Sequence, residues 1–591
     1  MAKIWKLLLH DADRIATLSR ELHVPAVLAQ LLLNRGISEP APARRFLEAS
    51  LDGLHDPALL PGASEAAERI VRAVQDKRRI VIYGDYDVDG VTGSAILIEC
   101  LKLAGADVRF YVPHRLDEGY GLNAAALETV RREEQADLVV TVDCGIASCD
   151  EARVARELGL ELIVTDHHEF AAELPKADCL VHPRLPGGSY PFHGLSGAGV
   201  AFKVAWGIAQ RLSGAVKVTP AFREFLIQSV SLAALGTVAD VVPLHDENRV
   251  LVRHGLVSLK ERPSLGLREL MATAELSERE KLDAEDIAFR LAPRINAAGR
   301  LGQARLAVEL LTTRNEPRAR ELARYLTGQN EQRQTLERRI FKEAKELVEK
   351  EHDVDRDRAI VLGKRDWHAG VIGIVAGRLA EKFWRPVIMI SLGDPVGQGS
   401  GRSIPGFNLH EALHACRELL ESYGGHAAAA GLKIRSENLT RFRAAFCEHA
   451  ATKLVSQDLV EHLRIDAEVL LADITPRLVQ TIENLAPFGA GNRRPLLMAA
   501  NVELLGPAKR IGGGERHLSF QLRQDRSRVR AVAFGMGDRA EELMPGSKYD
   551  VAFSPQLNTY QGFTRVDLHV KDFRPCAEVN STRSSVAGAQ L

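Results

Sequence analysis

Closely spaced cysteine pairs, membrane-length apolar runs and a large net charge are all missing from this chain. Its 591 residues include seven cysteines, an odd number with no CxxC pair. That excludes a disulfide framework or a thiolate zinc site and suits a reduced, cytoplasmic protein. The longest uncharged apolar stretch, Phe225–Ala239, falls short of the roughly 18 residues that a membrane span needs. The opening MAKIWKLLLHDAD is broken by Lys6 and turns acidic at once, so it is read as carrying no secretory signal. A formal net charge of −1 excludes a uniformly basic nucleic-acid coat, though charge can still segregate locally. No internal repeat is present, and only the Ser-rich tail from about Glu578 lacks apolar periodicity, which points to disorder over 576–591.

What the chain does contain is ordinary globular composition, 46% apolar and 26% charged, at a length that suits about three to five domains. Residues 1–50 read as an N-terminal arm with a short helix or two. From about Glu65, apolar strands (Ile80–Tyr83, Val108–Val112, Leu138–Val142, Leu162–Thr165) alternate with helical stretches such as Val91–Ala104 and Asn123–Glu134. That alternation predicts a parallel sheet wound by helices over 51–270. Residues 271–350 read as a helical connector, whose last stretch, Pro317–Val348, carries a stripe of Leu336, Ile340, Ala344 and Leu347 and reads as one helix of about 30 residues that Gly328 could break. A second, smaller α/β unit is expected over 351–456, and a small barrel of the OB type over 457–575, where five or six short strands alternate with Gly-rich turns. The fold class is thus α/β multidomain with a C-terminal β-barrel.

The chemistry lies at strand ends. GDYDVDG follows the first strand and supplies Asp85, Asp87 and Asp89; DCG follows the third and supplies Asp143; TDHH follows the fourth and supplies Asp166, His167 and His168. Ligands of open α/β sheets bind beyond the carboxyl ends of the strands, so these groups should meet in one crevice. Crowded carboxylates repel one another unless a cation neutralises them. Oxygen donors with one or two imidazoles favour Mn²⁺ or Mg²⁺, and two such ions would form a clamp for phosphate-ester cleavage. Asp240, in GTVADVVP, is a further candidate ligand. A single Asp after a strand is more often a helix cap or turn residue. A calcium loop of the EF-hand kind is excluded because its twelfth position, counted from Asp85, is Ile96.

GDYDVDGVTG, DCG, TDHH and GTVAD together resemble the four motifs of the DHH phosphoesterase superfamily. PHRLDEGYGL, PRINAAGR, GSGRS, GGHAAAAG and LAPFGAGN resemble those of its single-strand-specific exonucleases, over roughly residues 50–570. The resemblance implies a DHH catalytic domain, a DHH-associated substrate-binding domain and an OB-fold DNA-binding domain. It also implies 5′-to-3′ digestion of single-stranded DNA to 5′-mononucleotides with Mn²⁺ or Mg²⁺, in DNA repair and recombination. Carried over by motif, Asp87, Asp89, Asp143, His167 and Asp240 hold two ions, with Asp85 beside them. His168 contacts the scissile phosphate or protonates the leaving oxygen, and Asp166 orients the histidines.

The same resemblance makes Gly424, Gly425 and His426 of GGHAAAAG, and Ser400, Arg402 and Ser403 of GSGRS, substrate contacts. The alanines of GGHAAAAG could start a helix whose N–H groups face a phosphate. Residues 291–342 hold eleven Lys or Arg against five Asp or Glu, including Arg294, Asn296 and Arg300, a plausible path for a DNA backbone. His114, Arg115 and Tyr120 of PHRLDEGYGL are candidates to meet the DNA near the metals. Phe520 and Phe534 of the basic barrel could stack on bases, although small barrels more often bury such rings. A single-strand-binding protein and a helicase stay open as partners, and the chain is read as a monomer. The rival readings are a superfamily phosphoesterase for short oligonucleotides or cyclic dinucleotides, and a non-catalytic DNA-binding scaffold.

Overall fold

In this computed structural model the described residues are 3–114, 121–300, 302–353, 356–560 and 562–576. The expected disordered tail, 576–591, lies outside them from residue 577 on. Two bodies are distinct: one contains residues 49–460 and 487–492, the other residues up to Glu48 together with 461–486 and 493–591.

The first body begins with a five-stranded parallel sheet in the order Val108–Tyr111, Ile80–Gly84, Leu138–Val142, Glu161–Thr165, Cys179–Val181. Strands Ile80–Gly84 and Leu138–Val142 are fully buried, which explains their unbroken apolar runs in place of alternation. The first strand in chain order lies between the second and third. Its boundary with Leu138–Val142 is therefore the switch point where chain direction around the sheet reverses, and a crevice opens there. Helices Val88–Leu103 and Gly197–Ser213 pack on the sheet, Pro220–Ala239 packs on those two helices and Asp246–Glu261 on Pro220–Ala239, and all four share one large core. Phe225–Ala239, the longest apolar stretch, is part of a buried helix, and no helix among the described residues is long and apolar enough to cross a membrane.

A 36-residue helix, Glu316–Glu351, runs unbroken through Gly328. Gly328 does not break it, because buried Ala319, Leu322, Ala323 and Leu326 before the glycine, and Ile340, Ala344 and Val348 after it, anchor both halves. That packing outweighs the roughly 1 kcal/mol that Gly costs a helix interior. The smaller lobe has a mixed sheet ordered Ser422–Gly425, Ala429–Arg435, Val396–Arg402, Val387–Ser391, Ile360–Lys364, with apolar clusters on both faces.

In the second body, strands Leu497–Ile511, His517–Gln524, Ser527–Ala533, Phe563–Pro575 and Lys548–Tyr560 pair in that order, and the last pairs back to the first. This closes a five-stranded barrel. The N-terminal arm is more than helices: Ile4–Leu7 forms a parallel pair with His462–Ile465.

Candidate metal centre

The acidic loop after Ile80–Gly84 is shaped by the start of a helix. Asp87 caps Val88–Leu103, its Oδ1 accepting the N–H groups of Asp89 and Gly90 at 2.9 and 3.2 Å. Asp85 and Asp89 are buried. Asp89 accepts the N–H of Gly197 at 2.6 Å and of Ala198 at 2.9 Å, the first turn of the helix capped by Ser196. Free N–H groups at a helix start favour a negative charge there.

Asp143 is buried and adopts left-handed backbone with φ of 65°, which turns it away from its strand. His167 Nε2 lies 3.1 Å from Asp143 Oδ1, 3.5 Å from Asp240 Oδ2 and 3.8 Å from Asp89 Oδ2. It is buried without a hydrogen-bond partner among the described residues. Asp240 comes from the C-terminal end of helix Pro220–Ala239 rather than from the sheet. Three overlapping sets of donor atoms lie within 4.8 Å of one another: Asp85, Asp87 and Asp143; Asp89, His167 and Asp240; and Asp143, His167 and His168. The sharing of Asp143 and His167 between sets suits more than one ion, and carboxylates with the one neutral imidazole of His167 suit Mn²⁺ or Mg²⁺.

Electrostatics point the same way. Burial, reinforced by the Asp87 charge, raises the Asp89 carboxyl to about 7. Asp240 is pushed up to about 8 by burial, then by Asp89 and Asp87. Asp143 stands well above the usual carboxylate range from burial and from Asp89, Asp87 and Asp85. Such a cluster is unfavourable until a dication enters. Burial drives His167 down to about 3, so its imidazole is neutral and ready to ligate. Burial opposes charge on His168 too, but the bonded Asp166 carboxylate overrides it and lifts the ring to about 9.

Asp166 fixes the TDHH turn. Its Oδ1 accepts the N–H of His167 at 2.7 Å and of His168 at 3.2 Å and lies 2.8 Å from His168 Nδ1; its Oδ2 accepts the Ile146 N–H at 3.0 Å. His182 and Arg184, which sequence reasoning missed, hold the same turn from the neighbouring strand. The His182 ring contacts His168 O at 2.9 Å, and Arg184 donates to His167 O at 2.9 Å. HPR follows Cys179–Val181, so the strand-end argument would have found it had that fifth strand been seen. The Ser196–Ala198 helix start was the other omission.

The substrate candidates are spread over connector and smaller lobe. His114 sits against Gly302, where a Cβ would be 1.8 Å from its Nε2. Arg115 and Tyr120 lie outside the described residues. Arg294 donates to the carbonyls of Arg290 and Thr273, Asn296 Oδ1 accepts the Val88 N–H at 3.2 Å, and Arg300 donates to Gly370 O at 2.9 Å. The connector's charge is partly balanced, by pairs such as Arg318 with Glu309 and Arg333 with Glu337. Arg402 donates to Ser400 Oγ at 3.3 Å, and Ser403 Oγ donates to Phe407 O at 2.7 Å.

GGHAAAAG does not start a helix. Gly424 and Gly425 pair with Gly431 and Ala430 in a β-hairpin, and His426 is exposed at its tip, its N–H bonded to Ala429 O at 2.8 Å. The alanines are held extended because Ala429–Arg435 also pairs with Val396–Arg402. His426 is near enough to Glu169 to help Arg184, the main cause, hold that carboxyl below its usual range. In the barrel, Phe520 is buried and Phe534 is 54% exposed.

Comparison with known proteins follows the same division. The DHH family N-terminal domain profile matches residues 79–230, the DHHA1 domain profile 356–452 and the RecJ OB domain profile 465–572. The single-stranded-DNA-specific exonuclease RecJ of Bacillus subtilis (strain 168) is 37% identical over 96% of this chain and 70% of its own length. That of Escherichia coli (strain K12) is 34% identical over 87% and 89%. A crystal structure of RecJ from Thermus thermophilus in complex with Mn²⁺ superposes with a TM-score of 0.82 at 33% identity, covering 97% of this chain and 80% of that one. Its Mg²⁺ complex gives 0.76 at 31% identity, covering 97% and 79%.

Proposed function

This chain belongs to the RecJ family of single-stranded-DNA-specific exonucleases, and from that premise we propose how its residues divide the work. It hydrolyses phosphodiester bonds of single-stranded DNA with Mn²⁺ or Mg²⁺, and DNA repair and recombination are its setting. The observation that carries the reading is His167 Nε2 within 3.8 Å of three carboxylates at the switch point of the sheet. Two divalent ions held there would neutralise charge on the scissile phosphate and activate a water at neutral pH.

Asp87, Asp89, Asp143, His167 and Asp240 hold the ions, and Asp85 supports them. Asp166 keeps Nδ1 of His168 engaged, so the proton His168 can give is the one on Nε2; a ring lifted to about 9 carries that proton at neutral pH and can pass it to the leaving oxygen. Ser400, Arg402 and Ser403, with Gly424, Gly425 and His426, bind the DNA backbone. His114, Arg115, Tyr120, Arg294, Asn296 and Arg300 complete the path, and the barrel binds strand further along. Digestion runs 5′ to 3′ and releases 5′-mononucleotides. The domain division that fits is 51–270, 271–350, 351–456 and 457–575, after an arm of 1–50. A single-strand-binding protein and a helicase are the expected partners of a monomeric, cytoplasmic enzyme.

An end-labelled single strand, incubated with Mn²⁺, Mg²⁺ or chelator, tests this. Mononucleotides released only with metal, and from the 5′ label first, are the expected result. Equal turnover of a dinucleotide and a long oligonucleotide would favour the short-substrate phosphoesterases instead.

A further inference from the structure

Residues 487–492 (PFGAGN) pack with the body that carries the crevice, although the chain on either side of them belongs to the barrel body. The segment is folded on itself. Gly489 and Asn492 exchange N–H···O bonds of 2.9 and 3.2 Å, and the wholly buried Asn492 donates from Nδ2 to Pro487 O at 2.7 Å. Three consecutive residues of the first body rest on it. Leu244 donates its N–H to Ala490 O at 2.8 Å. A Cβ on Gly489 would lie 2.7 Å from Leu244 Cδ1, and one on Gly491 would lie 2.7 Å from His245 Nε2 and 3.1 Å from Pro243 Cβ.

Pro243, Leu244 and His245 are the far side of the turn that begins at Asp240. Val241 within it has φ of 61°, a left-handed conformation that a β-branched residue holds only when its surroundings impose it. Asn248 braces the same turn, donating from Nδ2 to Pro243 O at 3.0 Å and to Gly194 O at 2.5 Å. Gly194 in turn leads into Ser196–Ala198, the helix start that binds Asp89. The strained turn is thus pinned at its C-terminal end by Asn248 and by the 487–492 segment.

We propose that residues 487–492 form a positioning clip for Asp240, so that divalent-ion affinity in the crevice depends on a segment more than 240 residues further along the chain. The inference rests on reading Asp240 as a metal ligand, and the experiment keeps the two separable. Gly491→Ala in the full-length protein presses a methyl group into the His245 ring. In Mn²⁺ titration calorimetry without DNA it should weaken binding by roughly tenfold, the lower end of what outer supports of a ligand contribute. Gly506→Ala is the control for backbone strain: its φ is 72° and nothing lies within 4 Å of the added atom. It should bind Mn²⁺ as the parent does. Adding His245→Ala to Gly491→Ala removes the clash and should restore much of the affinity. Gly489→Ala, which meets the flexible end of Leu244, is a milder version expected to act in the same direction, and it serves if Gly491→Ala does not fold. Parent-like Mn²⁺ binding by the glycine variants, with binding lost in Asp240→Ala, would overturn the clip alone. Parent-like binding by Asp240→Ala would overturn the metal reading and the clip with it.

Discussion

Asp166 and His168 meet carboxylate to imidazole at 2.8 Å, while the same carboxylate oxygen accepts the main-chain N–H groups of both histidines. One side chain therefore sets the shape of the turn and the charge on the ring. Asp166→Asn can keep an oxygen for the N–H groups while removing the negative charge. His168 then falls from about 9 toward an ordinary histidine value, and the alkaline limb of the kcat–pH profile should move down by about one to two units. An unmoved limb would remove His168 as the proton donor.

Gly197 has no room for a side chain. A Cβ there would lie 2.5 Å from Asp143 Oδ1 and 2.6 Å from Asp143 Cβ. Gly197→Ala should displace Asp143 and lower kcat by on the order of 10²-fold, as small misplacements at reacting centres do. Circular dichroism should show the fold retained, and Asp143→Asn should cost less in the Gly197→Ala background than in the parent.

The ion-free protein should lose stability as pH rises. Asp89 and Asp240 sit at about 7 and about 8 when folded, against about 3.9 unfolded. The folded state therefore binds more protons between roughly pH 4 and 8, and its stability falls through that window. Mn²⁺ reverses this by displacing the protons and pairing with the carboxylates. Differential scanning fluorimetry should then give a larger Mn²⁺-induced gain in Tm at pH 8.5 than at pH 5.5. Equal gains would mean that these carboxylates do not bind the ion.

Phe534 is flanked edge-on by His517 and His569, with ring centroids 5.3 and 5.1 Å away. Base stacking on an exposed ring contributes about 1–3 kcal/mol. Phe534→Ala should weaken binding of a long oligo-dT, followed by fluorescence anisotropy in chelator, by about thirtyfold, the middle of that range. Hydrolysis of a dinucleotide should be unchanged.

The strand-end clusters were legible because a buried parallel strand writes itself as an apolar run and its carboxyl end is a fixed place. Asp85, Asp143 and His167 needed only that rule. Asp240 was visible as an acid after an apolar stretch, but that stretch is a helix, and periodicity cannot separate a buried helix from a buried strand. GGHAAAAG misled because alanine favours helix, whereas pairing of Ala429–Arg435 with two neighbouring strands overrides propensity. The Asn296 bond to Val88 and the Ala490 bond to Leu244 span more than 200 residues each. Contacts so distant in sequence leave no local trace.

The parallel pair of Ile4–Leu7 with His462–Ile465 has a consequence for how the molecule is made. At about 5–20 residues per second, the ribosome needs roughly 20–90 s between emitting the two partners. Through that interval the first strand waits with an open edge while the crevice-bearing body can already fold. An amino-terminal fusion that slows or blocks this late closure should therefore leave nascent chains vulnerable to proteases near residue 10, with the central body intact.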